Sequence, residues 1–299
     1  MPHAAWAVEN LRSVALEELF ARLARQGLSI DREMFLQFAE SSDTPEELAE
    51  ILLADSADEQ LHDPLYLILF ELWRRLLPEK PVLSIFCDEL DHQIDLYDRN
   101  ELESDEAIQN ALANLQEILD ENTDTGAQPQ DVFAGVEEDC AHDVESFLYD
   151  YISGLLDAGN SLYASELIEG FSPYVPEPIW FDLLRARLLS LTDINEANVF
   201  TLQILKKNPE LPILIDLLRF LSTVGDRALF VMAAKQAIPL LENEEDFREM
   251  LSLVSEYYRL LDLDDLEQAV QKLMQSRKAP SEAIDPEDPD LKAFAQLIL

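Results

Sequence analysis

The sequence predicts an all-α fold, a solenoid of stacked antiparallel helical hairpins, and three observations carry that prediction. The first is a repeat. Gly159-Asn160, Thr192-Asp193 and Gly225-Asp226 stand 33 residues apart, as do Ala164 and Ala197, and Pro176 and Pro209. Apolar positions keep the same step: Leu148/Phe181/Leu214, Tyr151/Leu184/Leu217, Leu155/Leu188/Leu221, Leu167/Phe200/Ala233 and Phe171/Ile204/Ala237. A fixed period with helical spacing inside each unit is what hairpins produce when each buries its apolar face only against its neighbours. The second observation is scarcity of glycine, 7 in 299 residues, too few for the turns of a hairpin-rich sheet. No segment alternates with period 2 and no Asn-Gly or Asp-Gly pair occurs. The third is that the 15 prolines lie mostly between apolar runs, where they end helices.

The elements follow in order. Ala4 to Gln26 reads as an amphipathic helix, with Leu11, Val14, Ala15, Leu19 and Leu23 on one face and Gly27 as terminator. Asp31 to Glu40 is a short second helix. Asp43-Thr44-Pro45-Glu46 is a start signal for a third, to about Ala54. Asp63-Pro64 opens the next, which Pro78 and Pro81 break, and Val82 to Tyr97 follows. Ser104 to about Asp120 is a further helix. Asn122 to Gln130, polar and holding Gly126 and Pro129, reads as a long loop or a subdomain boundary. Asp131 to Asp157 is helical, broken near Glu137-Glu138-Asp139. The repeat then runs to about Leu241. A drifted fourth hairpin spans Phe247 to Gln275, and an acidic linker, Ala279 to Pro289, leads to a terminal helix. The domain expectation is a helical region at 1–125, repeats at 126–278, and linker with terminal helix at 279–299. Leu155, Leu188 and Leu221 are expected at equivalent buried positions, and Gly225 where two helices approach or φ is positive.

The net charge is −40. Such a chain repels phosphate backbones and anionic bilayers, which disfavours nucleic-acid and membrane partners, and it attracts basic ones at long range. The charge is uneven. Residues 31–176 carry 36 acids against 5 bases, whereas 177–235 carry 7 of each. The balanced stretch falls on the repeats and is a candidate contact region. Two cysteines, Cys87 and Cys140, make no disulfide framework and suggest a reducing compartment. The first residues lack a basic segment followed by an apolar one, and no apolar run is long enough to span a bilayer. A cytoplasmic protein is the simplest expectation, with delivery into another cell's cytosol equally compatible.

The repeat units resemble the tetratricopeptide family over about residues 146–275. Gly159-Asn160, Ala164 and Pro176 fit one unit, and Thr192-Asp193, Ala197 and Pro209 the next. Gly225-Asp226 begins a third, with Phe230 in the Ala place and Glu242 in the Pro place. The resemblance implies a right-handed solenoid that cradles a peptide or helix in its groove, as an adaptor, scaffold or co-chaperone does. The physical roles stand apart from the name: the small residue allows close approach, the Asp or Asn caps the second helix, and the proline limits it.

No constellation points to catalysis. Asp124-Thr125-Gly126-Ala127 spells an aspartic-protease signature but lacks flanking strands. Cys140 and His142, two apart, would not face each other on a helix, and their acidic neighbours disfavour a thiolate. Asp88, Asp91 and Asp95 form a stripe better suited to a solvated face than to a cation, and Asp262, Asp264 and Asp265 lack the remainder of a calcium loop. Trp6, Trp73 and Trp180 read as core. No metal or cofactor is expected. The leading functional expectation is a non-catalytic protein-binding module that takes a protein or peptide, the acidity favouring a basic one. A helical enzyme or effector with a site assembled from distant residues is one alternative, and a structural subunit of a larger complex is another. Groove residues left exposed by the first helices of the hairpins are Asp182, Arg185, Asp216 and Arg219, whose arginines would hold carboxylates or carbonyl oxygens in fork geometry.

Overall fold

The computed structural model describes residues 10–54, 62–102, 104–176, 178–224, 226–277, 283–285 and 287–298; Trp6, Gly225 and residues 279–282 of the expected linker lie outside them. Among the described residues the regular structure is helical, with no strand and one isolated bridge between Asn243 and Ala283. The helices are α1 Leu16–Arg25, α2 Arg32–Glu40, α3 Pro45–Leu53, α4 His62–Leu76, α5 Leu83–Asp98, α6 Glu106–Asp124, α7 Pro129–Asp139, α8 Val144–Asp157 and α9 Ser161–Phe171. They continue as α10 Pro178–Ser190, α11 Ile194–Lys206, α12 Leu211–Val224, α13 Arg227–Ala237, α14 Glu244–Leu260, α15 Asp264–Ser276 and α16 Pro289–Leu297. None of them is long and apolar enough to cross a membrane.

Two expected boundaries are corrected. The helix read as Ala4–Gln26 is interrupted: Leu11–Ser13 form a 3-10 turn, Val14 and Ala15 are extended, and α1 starts at Leu16. Side chains compete for the backbone there. Asn10 accepts from Arg12 N at 3.0 Å, and the Arg75 guanidinium donates to the carbonyl oxygens of Leu11, Val14 and Arg12 at 2.7, 2.7 and 2.9 Å. The long loop expected at 122–130 shrinks to four residues, because α6 runs on to Asp124 and α7 starts at Pro129. Asn122 stays helical by donating back to Ile118 O at 2.8 Å, and Gly126, at φ +106°, makes the turn that only glycine takes without strain.

The chain folds as two compact units. One holds the described residues up to Asn114 with Gly135–His142. In it α4 packs on α1 and α3, and α3 on α2. Leu19, Leu23, Phe35, Leu48, Leu69, Leu72 and Trp73 form its core. Thr44 caps α3 by accepting from Glu47 N, while the Glu47 carboxylate accepts from Asp43 N, a near-reciprocal box. Glu71 on α4 is buried and grips both Arg74 and Arg75. Burial alone would push its carboxyl up, but the hydrogen bonds from the two arginines outweigh it and hold it below the usual carboxylate range.

The other unit comprises Leu115–Ala134 and the chain from Asp143 onward. Here α8 pairs with α9, α10 with α11, α12 with α13, and α14 with α15. The first helices pack in a row, α8 on α10, α10 on α12 and α12 on α14, and α11 packs on α13. The 33-residue registers account for this core: Leu148, Phe181 and Leu214 are buried, as are Tyr151, Leu184 and Leu217, and Phe171, Ile204 and Ala237. Ala164, Ala197 and Phe230 are buried at the helix crossing. The register Leu155/Leu188/Leu221 departs from expectation. Leu221 is buried, but Leu155 and Leu188, in the last turns of α8 and α10, are only partly covered.

The hairpin turns separate the roles of cap and glycine. Gly159 sits at φ +79° after α8, and Asn160 N returns to Leu155 O at 2.8 Å, closing that helix. Thr192, in the same register, turns without a left-handed residue. Asp193 caps α11 by accepting from Asn195 N and Glu196 N at 2.9 and 3.1 Å, and Asp226 caps α13 by accepting from Ala228 N at 2.7 Å. Asn160 occupies the same place before α9 but accepts nothing through its side chain. Asp193→Ala and Asp226→Ala are therefore each expected to cost about 1 kcal/mol, and Asn160→Ala clearly less. Urea midpoints of the three variants check this, and an equal loss for Asn160→Ala would contradict the cap assignment.

Candidate functional site

A concavity of the second unit lies on the row α8–α10–α12. On α8, Ser146, Tyr149, Asp150, Ser153 and Asp157 recur at helical spacing and turn one face outward. Two adjoining depressions of about 390 and 420 Å³ share Tyr149, Asp150 and Asp216. The first is completed by Asp143, Glu145, Ser146 and Trp180, the second by Ser153, Asp157, Arg187, Arg219, Phe220 and Thr223.

The aromatic wall is built by contact between helices. The Tyr149 ring meets Trp180 edge-on, with centroids 4.9 Å apart and planes at 64°. The Tyr149 hydroxyl donates to Asp216 Oδ2 at 2.9 Å, tying α8 to α12. Burial, and next the Asp216 charge, push the Tyr149 hydroxyl well above the usual tyrosine range, so it remains a donor. In the second depression Arg187 on α10 reaches back to α8, pairing with Asp157 at 2.6 Å and donating to the Ser153 hydroxyl. Arg219 bridges Asp216 on its own helix and Glu249 on α14.

The four residues expected at the groove do not converge. Asp216 and Arg219 line the second depression. Asp182 and Arg185 lie outside both: Asp182 accepts from Lys207 Nζ at 2.6 Å and stands 3.9 Å from Arg185, whose other nitrogen donates to the Ser172 hydroxyl at 3.2 Å. The reason is helical phase: thirty-three positions before Asp216 and Arg219 stand Leu183 and Ala186, so Asp182 and Arg185 are one position, about 100° of helix, off that face. The residues that were missed had a signal. Thirty-three positions before Asp182 stands Tyr149, and sixty-six before Asp216 and Arg219 stand Asp150 and Ser153, all of which line the depressions. Trp180, read as core, is partly buried at the wall.

The other sequence candidates resolve into structural roles. Asp124 ends α6, and Thr125-Gly126 is its turn. His142 turns away from Cys140 to meet Asp91 at 2.9 Å and Asp95 at 3.5 Å, while Asp88 pairs with Arg12. Asp262 takes φ +54° after α14, and Asp264 and Asp265 lie in the first turn of α15. Trp73 is buried in α4. Among the described residues no group of histidine, cysteine or carboxylate side chains is placed to hold a metal ion.

Chemically, the first depression offers carboxylates beside two ring edges and faces, an environment that suits a cation. Compared with known protein families, curated proteins and solved structures, the chain matches none.

Proposed function

We propose that the chain is a non-catalytic, cytoplasmic protein-interaction module, a right-handed tetratricopeptide-like solenoid that holds a basic peptide segment along the α8–α10–α12 face. The row of first helices supports the solenoid reading, with repeats at 126–278 between a helical N-terminal region and a terminal segment. The observation that carries the functional reading is the acidic depression walled by Tyr149 and Trp180. An Arg or Lys side chain entering it would meet Asp150, Glu145 and Asp216 and stack on an indole, where cation–π attraction contributes on the order of 1–2 kcal/mol. The net charge of −40 would speed the approach of such a segment and make it salt-sensitive. Asp216 and Arg219 enter the proposal as lining groups, Asp182 and Arg185 as flanking ones.

Trp180 supplies the readout in a Trp6→Phe background, since the remaining tryptophan, Trp73, is buried. Synthetic Arg- and Lys-containing peptides titrated at two salt concentrations are expected to change Trp180 fluorescence, with Kd weakening as salt rises. Measured by calorimetry, which does not need the indole, Trp180→Ala should weaken Kd about tenfold, and Asp150→Asn should flatten the salt dependence. The double variant Arg185→Glu with Arg219→Glu should retain or tighten basic-peptide binding, whereas its loss would favour an acidic ligand held by the arginines. Basic peptides that bind wild type and Trp180→Ala equally would reject this face.

A second reading, a structural subunit of a larger assembly, draws on exposed Leu162, Leu191, Val224 and Leu260 near the hairpin tips. On that reading Leu191→Ala with Val224→Ala, and not Trp180→Ala, would abolish capture of the partner.

A further inference from the structure

The two cysteines, 53 positions apart in sequence, both fall in the first unit. Cys87 is fully buried on α5, its thiol aimed at Val136 O at 3.8 Å. Cys140 follows α7, four positions beyond Val136, and is only partly buried. Its place is fixed by a clamp one helical turn further along α5. The Asp91 carboxylate accepts from Ala141 N at 2.8 Å and His142 N at 3.0 Å, and it meets His142 Nδ1 at 2.9 Å. The two residues after Cys140 are thus held to the same helix face that carries Cys87. Neither thiol has a role in the binding face proposed above.

We infer that Cys87 and Cys140 form an oxidisable pair, which a hydroperoxide converts into a disulfide that staples the segment after α7 to α5. The partly exposed Cys140 is the thiol an oxidant reaches first. Its sulfur attacks one oxygen of hydrogen peroxide, the O–O bond breaks, and the products are the sulfenic acid and water. The Cys87 sulfur then attacks the Cys140 sulfur. The S–S bond forms, the S–O bond breaks, and the departing hydroxide takes the Cys87 proton as a second water. Two thiols are oxidised and one peroxide is reduced to two waters. The contact with Cys140 and burial both push the Cys87 thiol up, and the Asp139 and Asp91 charges add to this. Cys87 therefore rests as a thiol, and closure is slow, suited to sustained rather than transient oxidant. A disulfide closing so long a loop removes substantial freedom from the unfolded chain.

The test uses the full chain, reduced and then treated with excess hydrogen peroxide. Denatured thiol titration should fall from two per chain to none, and non-reducing peptide mapping should find Cys87 joined to Cys140 within one molecule. The thermal transition should rise by several degrees, return with dithiothreitol, and fail to rise in Cys140→Ser, whose partly exposed site tolerates the change. Thiols left intact, Cys140 oxidised to a sulfinic acid without a crosslink, or a link between two molecules would overturn the inference. So would an intramolecular disulfide that leaves the transition where it was.

Discussion

Replacing Arg277 with alanine is expected to be among the most damaging single changes in the chain, at about 3–5 kcal/mol, the cost of breaking a buried ion pair. The Arg277 side chain is 9% exposed and is shared by Glu244, Asp288 and Asp290. Its guanidinium also lies 4.7 Å from the centre of the Phe247 ring. The Glu244 hydrogen bonds hold it further above the ordinary arginine value, so it stays charged at any accessible pH. Removing it leaves Glu244, itself buried, facing two aspartates with no cation. Around this ion Phe247 meets Phe294 edge-on, and the Tyr258 hydroxyl donates to Leu297 O at 2.5 Å, so the whole 283–298 segment is expected to detach. Arg277→Lys keeps the charge but loses the fork, and it should fall between wild type and alanine. Urea unfolding and limited proteolysis after α15 check this; an alanine variant as stable as wild type would show that the cluster contributes nothing net. The cluster also gives a pH dependence. The hydrogen bond from Arg277 holds the Asp288 carboxyl below its ordinary value of 3.8. A carboxyl lowered on folding stabilises above its unfolded pKa, and that stability drains away as pH falls below about 4 through the folded value. Asp288→Asn should flatten that acid limb.

Phe181→Ala is expected to cost about 3–5 kcal/mol, and Leu188→Ala, seven residues along the same helix, clearly less. Phe181 is 1% exposed between hairpins, so its loss leaves a cavity that close-packed neighbours cannot fill. Leu188 is only partly buried, and water can take the place of its side chain. The same contrast should hold on α12 and α8, with Leu214→Ala costly and Leu155→Ala mild. Equal losses for Phe181→Ala and Leu188→Ala would mean that the buried stripe of α10 runs along a different face.

The helices and their order were largely legible in the sequence, and the reason is visible in particular residues. Leu148, Phe181 and Leu214 repeat because each hairpin meets its neighbour in the same way, so one packing solution is written three times. Asp193 and Asp226 announced their caps because that bond is local. The break before α1 was illegible, since Arg75, more than sixty positions away, decides it. The candidate site was half legible. Asp216 and Arg219 follow from the repeat, and Tyr149 and Asp150 would have followed from applying the same step backwards. Trp180 could not be told from a core residue, because an apolar context surrounds it in sequence and only the neighbouring Tyr149 shows which side faces out. Arg185 was misplaced because the balance of charge along a stretch says nothing of which acid each arginine meets.

The row of hairpins also fixes how quickly this half of the chain can find its structure. Nearly every packed pair from α8 to α15 joins elements adjacent or next but one in the chain. Connections of two to six residues close without any distant segment having to be found first, and local contacts of this kind give fast folding. Each hairpin can form on the one already made as the chain leaves the ribosome. At the far end Arg277 reaches back 33 positions to Glu244 and Tyr258 reaches forward 39 to Leu297. That closure has to wait until Phe294 and Leu297 have been synthesised. Until then Phe247 and Tyr258 lack the cover that Phe294 and its neighbours provide, so a stalled or truncated chain is most exposed to aggregation and proteases at α14 and α15.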